Sequence, residues 1–272
     1  MRQDNVQFLK DRLFNLGFGD NLHEKLENKI KEGPEKFTLS MPGEFGQGDK
    51  KKIVEYTLDF SKSKQEDMYF VNNYTAKLKG DSPEQDKSQK FFLNNGRGVT
   101  AKEAFNLLEG RAVYKDKLVN KEGDEYSAWL QLNFKEKDKH DNFKVQPYTA
   151  GWKYDLEKSL NRHPMKELAN EDQKNDLLKS LKKGNLQPVT FTTDGKDVKM
   201  FVEANPKERS LNVYDEKMTK QFQGIRPSTS EIQEKSQGAQ EKKTEDKTKV
   251  EKTSTQEMPE GRTRTKKRGM SV

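Results

Sequence analysis

Apolar residues recur at helical spacing at the start of the chain and then switch to strict alternation. The apolar spacing over residues 5–18 predicts a helix that Gly17 and Gly19 end. Asp20 or Asn21 is placed to cap a second helix, which finishes at Gly33. The chain therefore begins with two short helices.

The following segment has a period of two, which predicts four strands. The first strand begins at Phe37. The second strand places four residues on one face: Val54, Tyr56, Leu58 and Phe60. The third strand gives one parity to five residues: Met68, Phe70, Tyr74, Ala76 and Leu78. Residues 89–93 form the fourth strand, so residues 3–95 are predicted to be a small α+β unit.

A second α+β unit is predicted over residues 99–220. It opens with Thr100 and Glu103 at the spacing of a capping box, in which each side chain satisfies the other residue's backbone N–H. The sequence predicts, in order, a strand over 126–134, its partner over 143–145, helices over 155–162 and 170–183, and strands over 189–192, 198–202 and 211–214. The fold class is therefore α+β, with two small helix-plus-antiparallel-sheet units.

The two predicted units share a short stretch of similar sequence. Residues 26–33 and 177–184 both end a helix with an apolar pair four residues apart and a glycine. An old duplication and two unrelated helix ends both explain this match, and the second explanation is favoured because the residues are common ones.

Residues 224–272 contain no aromatic residue and consist mainly of Lys, Glu, Gln, Thr, Ser and Gly. Such a segment cannot form a core, so we expect a disordered charged tail. The whole chain is 36% charged and 30% hydrophobic, without cysteine. This composition excludes a disulfide scaffold and thiol catalysis. No 18-residue apolar stretch occurs, so we expect no membrane contact and a cytoplasmic protein.

The net charge of +7 is concentrated at the C-terminus. The last twelve residues contain five basic residues and no acid: Arg262, Arg264, Lys266, Lys267 and Arg268. A flexible polycation neutralises phosphates, so we expect DNA or RNA to bind this terminus. A transport address and a solubilising tail without a partner remain alternative interpretations.

Several aromatic residues lie off the apolar faces of their predicted strands. Trp129 is out of phase with its strand, and so is Phe92. Trp152 lies beside Lys153, and Lys144 is near in sequence, so these residues are candidates for stacking bases or gripping a peptide. The alternative, which we favour, is that a helix covers the second sheet face and buries the rings.

The remaining candidates are weak. Arg97 lies between two glycines just before the Thr100 helix, which allows an anion site there, although a domain hinge is the favoured interpretation. The three histidines, His23, His140 and His163, lack partners at metal-ligand spacing. We predict no metal site, no cofactor and no enzymatic activity, because no catalytic motif is present.

Several strings carry a resemblance to a known family: 99–103 (VTAKE), 106–113 (NLLEGRAV), 121–123 (KEG), 128–132 (AWLQL), 154–157 (YDLE), 166–168 (KEL), 179–184 (KSLKKG), 200–206 (MFVEANP) and 212–215 (NVYD). The segments 7–11 (QFLKD) and 17–19 (GFG) are typical of its longer members. Residues 3–220 thus resemble an uncharacterised domain family of conjugative transposons and related mobile elements in gut bacteria. The resemblance implies a mobile-element context, and it carries over no catalytic residue.

Together these observations predict a non-enzymatic accessory protein of a mobile genetic element that associates with nucleic acid or a DNA-processing complex. The alternative is a protein–protein interaction module, an adaptor or a transferred factor, whose basic tail is a targeting or solubilising element. Surface aromatics on small sheets with mixed charge suit that second function.

Overall fold

A helical layer and one antiparallel sheet form the first half of the molecule. The computed structural model describes residues 2–46, 51–93, 98–193 and 195–221. The helices are α1 (Gln3–Leu13) and α2 (His23–Glu32), joined by a π-helical turn (Phe14–Phe18). The strands are β1 (Lys36–Phe45), β2 (Lys52–Lys62), β3 (Tyr69–Leu78) and β4 (Lys87–Phe92), in the order β1-β2-β3-β4.

The second half contains three helices and two further antiparallel sheets. The helices are α3 (Ala101–Leu108), α4 (Leu156–Leu160) and α5 (Glu171–Lys182). One sheet is β5 (Val113–Val119), β6 (Glu125–Lys137) and β7 (Phe143–Thr149). The other has the order β11-β10-β9-β8, from β8 (Gln187–Thr193), β9 (Lys196–Asn205), β10 (Ser210–Tyr214) and β11 (Lys220–Gln221). The predicted α+β class is confirmed.

The helix ends follow the predicted chemistry in part. The Thr100 hydroxyl accepts from the Glu103 N–H and the Glu103 carboxylate accepts from the Thr100 N–H, so the capping box is confirmed. The predicted cap of α2 is wrong. Leu22 occupies the cap position without a side-chain bond, and Asp20 contributes only its backbone carbonyl, which accepts from the His23 N–H.

A β-bulge in β3 overturns the parity predicted for that strand. Asp59 pairs with Asn73 and Phe60 with Val71, so Asn72 is an extra residue without a partner on β2. One extra residue reverses which side chains face the core. Tyr69 and Val71 are buried, whereas Phe70 is 39% exposed and Met68 is half-buried before the strand. The inward prediction for Met68 and Phe70 is wrong, and that for Tyr74, Ala76 and Leu78 is confirmed.

Helix α3 contributes to the core of the first half although it follows β4 in the chain. Ala104, Phe105 and Leu108 lie in the same cluster as the inner face of the first sheet. The Tyr56 hydroxyl donates to the Ala101 carbonyl at 2.7 Å and the Tyr74 hydroxyl to that of Val99 at 2.8 Å. The division into units over 3–95 and 99–220 stays a prediction, and the disordered tail predicted over 224–272 lies outside the described residues.

Two strands were not predicted from the sequence. Strand β5 carries Lys115, Asp116 and Lys117 in succession, which hides its alternation, and β11 is only two residues long.

Strand β6 is the central strand of the second sheet and contributes side chains to both cores. Its Leu132 lies in the first core and its Trp129 in the second, so both faces are covered at its middle.

Candidate functional site

Three exposed phenylalanines from three different elements line one cleft. Phe8 of α1, Phe70 of β3 and Phe92 of β4 are 53%, 39% and 59% exposed. The cleft measures about 350 Å³, and its remaining lining residues are Arg12, Val71, Asn72 and Leu93. Exposed phenylalanine rings are costly in water unless a partner covers them. We call this feature the aromatic cleft.

The sheet positions these rings by letting β3 run past the end of β4. The β4 pairing covers only Asn73–Leu78 of β3, and the Leu93 N–H donates to the Asn72 carbonyl at 2.9 Å just beyond it. Earlier in β3, the buried Asn5 amide takes the place of a strand partner. It donates to the Tyr69 carbonyl at 3.0 Å and accepts from the Tyr69 N–H at 2.8 Å.

The bulge is what turns Phe70 toward this cleft. With Asn72 inserted, Phe70 lies on the face of the sheet opposite to the buried Tyr69 and Val71. Phe8 and Arg12 are four residues apart on α1, a spacing that places both on one side of a helix. The cleft is therefore assembled from one helix face, one bulge and one strand end.

Arg12 is the one charged residue among the residues that line the aromatic cleft. Its Nε is shielded from solvent and has no hydrogen-bond partner in the described part of the chain. Burial lowers the pKa of the Arg12 guanidinium from its ordinary value. No acid within the described ranges forms an ion pair with it. The cleft thus combines apolar surface with an uncompensated positive charge.

A second groove meets the aromatic cleft at the bulge. It measures about 520 Å³ and shares Asn72 with the cleft, and its other lining residues are Lys36, Phe37, Thr38, Asp59, Phe60, Ser61 and Asn73. The Asn72 amide donates to the Ser61 hydroxyl at 3.2 Å. The Asn73 Oδ1 is shielded from solvent without a hydrogen-bond partner. The bulge therefore lies where the aromatic cleft and the second groove meet.

Trp129 does not lie on the surface. It is 5% exposed and contacts Tyr114 and Tyr154, with ring centroids at 5.5 and 5.4 Å. The second core covers that face of β6. The burial that we favoured for this ring is therefore confirmed, and the ring is not available to stack on a base.

Of the other three predicted contacts, Trp152 and Lys144 are engaged within the fold. Trp152 is 39% exposed, but its indole N–H donates to the Pro206 carbonyl at 2.8 Å and the Arg209 guanidinium lies 5.1 Å from its ring. Lys144 pairs with Glu136 at 2.7 Å. Lys153 is exposed and has a φ of +57°. A role of these residues in binding nucleic acid stays a prediction.

Two predicted sites fall outside the described residues. Arg97 lies in the segment 94–97, and the basic residues 262–268 lie in the segment 222–272. The anion site at Arg97 and the polycation at the terminus therefore stay predictions. The hinge that we favoured at residues 96–98 stays a prediction as well.

His140 lies in a turn that Asp138 stabilises, and His163 packs against an aromatic ring. Asp138 accepts from the backbone N–H of His140 at 2.8 Å and of Asn142 at 3.0 Å, so this acid holds a turn together. His163 lies 5.6 Å from the Phe191 ring, and burial lowers its pKa. Within the described ranges, no group of three acidic, histidine or cysteine side chains is placed to hold a metal ion.

Comparison with known proteins does not assign the chain to a family. No protein-family model matches the chain, and neither the curated proteins nor the solved structures give a match. The resemblance to a mobile-element family therefore stays a prediction. None of the helices in the described part of the chain has the length and apolarity needed to cross a bilayer.

Sequence reasoning named Phe92 as a candidate and missed the other members of the aromatic cleft. The burial that we favoured for the Phe92 ring is wrong, since it is 59% exposed. Phe8 lies off the apolar stripe of Val6, Leu9 and Leu13, which is a signal that an amphipathic analysis of α1 can find. The adjacent asparagines Asn72 and Asn73 are a second signal, since asparagine is depleted in strand interiors.

Proposed function

We propose that this chain is a protein-interaction module and that the aromatic cleft is where it binds a partner protein. The observation that supports this function is the convergence of Phe8, Phe70 and Phe92 around Arg12. Aromatic residues and arginine are the residue types enriched at the centres of protein interfaces, where they supply most of the binding energy. A partner that inserts an apolar side chain removes these rings from water.

The lining favours a protein over a nucleic acid. The cleft and the adjoining groove together present two basic residues, Arg12 and Lys36, and one acidic residue, Asp59. A nucleic-acid surface neutralises several phosphates at once and needs more positive charge than this. Association with DNA or RNA, the mobile-element context, the lack of enzymatic activity and the cytoplasmic location stay predictions.

A random peptide library displayed on phage and selected on the full chain tests this function. The selected peptides are then measured on three proteins: the wild type, Phe92→Ser and Phe14→Ser. Phe14 is a matched control, because it is 64% exposed and does not line the cleft. We expect Phe92→Ser to weaken binding by about 10- to 100-fold, the loss expected for one buried aromatic side chain, and Phe14→Ser to leave it unchanged.

Three results would contradict this function. The first is a failure to select peptides, and the second is peptides that bind Phe92→Ser as tightly as the wild type. The third is single-stranded DNA that binds the wild type and Phe14→Ser but not Phe92→Ser, which would assign the cleft to nucleic acid. Urea unfolding of each variant checks that the fold is retained.

A further inference from the structure

Arg12 differs from two other arginines of the described chain in how its charge is compensated. Arg2 pairs with Asp4 at 2.6 Å, and the Arg111 guanidinium donates to the Asn106 side-chain Oδ1 at 2.8 Å and lies 3.7 Å from Glu109. Arg12 has no such acceptor within the described ranges, and its Nε is shielded from water. The Nε–H donor of this charged group has lost hydration without gaining a hydrogen bond.

Any partner that covers the aromatic rings also covers Arg12, because the residue lines the same cleft. A purely apolar partner would remove the rest of its hydration and increase the cost of burying the charge. A partner with a carboxylate at that position would compensate the guanidinium charge, since arginine binds carboxylates with two parallel hydrogen bonds. The chemistry of the lining therefore selects an acidic partner.

One cation in the cleft suits one carboxylate. A phosphate group carries up to two negative charges, whereas Arg12 is the one basic residue that lines the aromatic cleft and Lys36 lines the adjoining groove. The side chain of an aspartate or a glutamate matches the single charge of Arg12 without leaving a second charge uncompensated.

We infer that the aromatic cleft recognises a segment of a partner protein in which an aspartate or glutamate lies next to a large apolar residue. The apolar side chain contacts Phe8, Phe70 and Phe92, and the carboxylate pairs with Arg12. This inference rests on the proposed function, since it names the chemistry of the partner at the same site.

The test uses the peptides that the full chain selects and that Phe92→Ser fails to bind. For each peptide, a counterpart is made with the acid replaced by its amide. On the wild type we expect the amide peptide to bind at least about tenfold more weakly, the loss expected when a hydrogen bond to a charged group is removed. On Arg12→Gln we expect the acid and amide peptides to bind equally, and on Arg12→Lys an intermediate difference.

The outcomes separate this inference from the function on which it rests. Cleft-dependent peptides without acidic residues, or with equal binding of acid and amide on the wild type, would overturn the inference and leave the protein-binding function in place. An acid preference that persists undiminished on Arg12→Gln would also overturn it, because another group would then read the carboxylate. A lack of any peptide sensitive to Phe92→Ser would overturn both. Urea unfolding of Arg12→Gln confirms that a change in binding is not a loss of fold.

Discussion

Gly184 and Gly33 follow the helices α5 and α2 with nearly the same backbone angle, a φ of +77° and +78°. Their surroundings differ. A Cβ at Gly184 would lie 2.8 Å from the Ala112 carbonyl oxygen and 2.9 Å from the Val113 side chain, whereas a Cβ at Gly33 meets nothing within 4 Å. At Gly184 the end of α5 is therefore in close contact with the start of β5.

This pair gives a residue-scale prediction with a built-in control. Gly33→Ala introduces only the strain of a left-handed backbone, so we expect it to lower the free energy of unfolding by about 1 kcal/mol. Gly184→Ala adds a steric clash with the backbone, so we expect a loss of about 2–4 kcal/mol. Urea denaturation of both variants measures the difference. Equal losses in the free energy of unfolding would contradict the prediction, because they would show that the α5–β5 contact relaxes around the added methyl group without loss of stability.

Single residues show what local sequence can predict. The Thr100–Glu103 capping box depends on two side chains three positions apart, and it was predicted in full. The exposure of Phe70 depends on a bulge, which is set by how β2 and β3 pair over the whole strand. The Trp129 environment depends on which element covers a sheet face. Neither of these is fixed by residues close in sequence.

At the scale of elements, the β6–β7 hairpin protects the free edge of the first sheet. Asn142 in its turn accepts from the Lys90 N–H at 2.9 Å, and the Phe143 N–H donates to the side chain of Gln89 at 2.8 Å. Side chains thus take the place of a fifth strand along β4. An uncovered edge strand invites pairing with other chains, and this arrangement prevents it at Gln89 and Lys90.

We predict that Asn142→Ala exposes this edge locally. The Lys90 amide loses its acceptor, so its hydrogen exchange should become about tenfold faster, in line with a loss of roughly 1–1.5 kcal/mol for one hydrogen bond. Ala76, which lies in the interior strand β3, should keep its rate. Asn133→Ala in the same hairpin is the matched control, since Asn133 bonds only within the hairpin, to Lys135 and Glu136. An unchanged Lys90 rate would mean that the hairpin does not protect β4.

The elements themselves were largely predictable, because helices and strands reflect the period of apolar residues. The strands β1, β2 and β4 and the helices α1, α3, α4 and α5 lie where the pattern placed them. The aromatic cleft was not predictable as a whole. It needs α1, β3 and β4 to be brought to one place, and only the packed sheet does this.

At the scale of the whole molecule, charge is distributed unevenly along the sequence. The excess of positive charge is greatest in residues 261–272, where five basic residues occur without an acid. This terminus, and not the aromatic cleft, is the part of the sequence that favours nucleic acid. The two predicted interactions therefore involve different residues and can be tested separately.

Replacing Arg262, Arg264, Lys266, Lys267 and Arg268 with glutamine tests the predicted polycation. If these residues neutralise about five phosphates, the slope of log affinity against log salt for the wild type should be about −3.5 to −4.5, and the variant should lose most of it. Mobility shifts of labelled DNA at several salt concentrations measure the slope. The melting temperature should not change, because no apolar residue is altered. Equal slopes, or a melting temperature several degrees lower in the variant, would contradict the prediction.

Helix α3 has a consequence for how such a gene can be recombined. Its apolar side chains complete the core under the first sheet, while the Asn106 amide donates to the Lys183 carbonyl at 2.7 Å in the second half. A crossover at the codon of Gly98 would separate the first sheet from the helix that covers it, and would deliver that helix to a foreign core. A crossover after Gly110 keeps α3 with the first sheet, although Val113 and Leu132 of the same core then come from the other parent. Functional chimeras of this fold should therefore have their junctions after α3, even though the loop before it looks like the natural border.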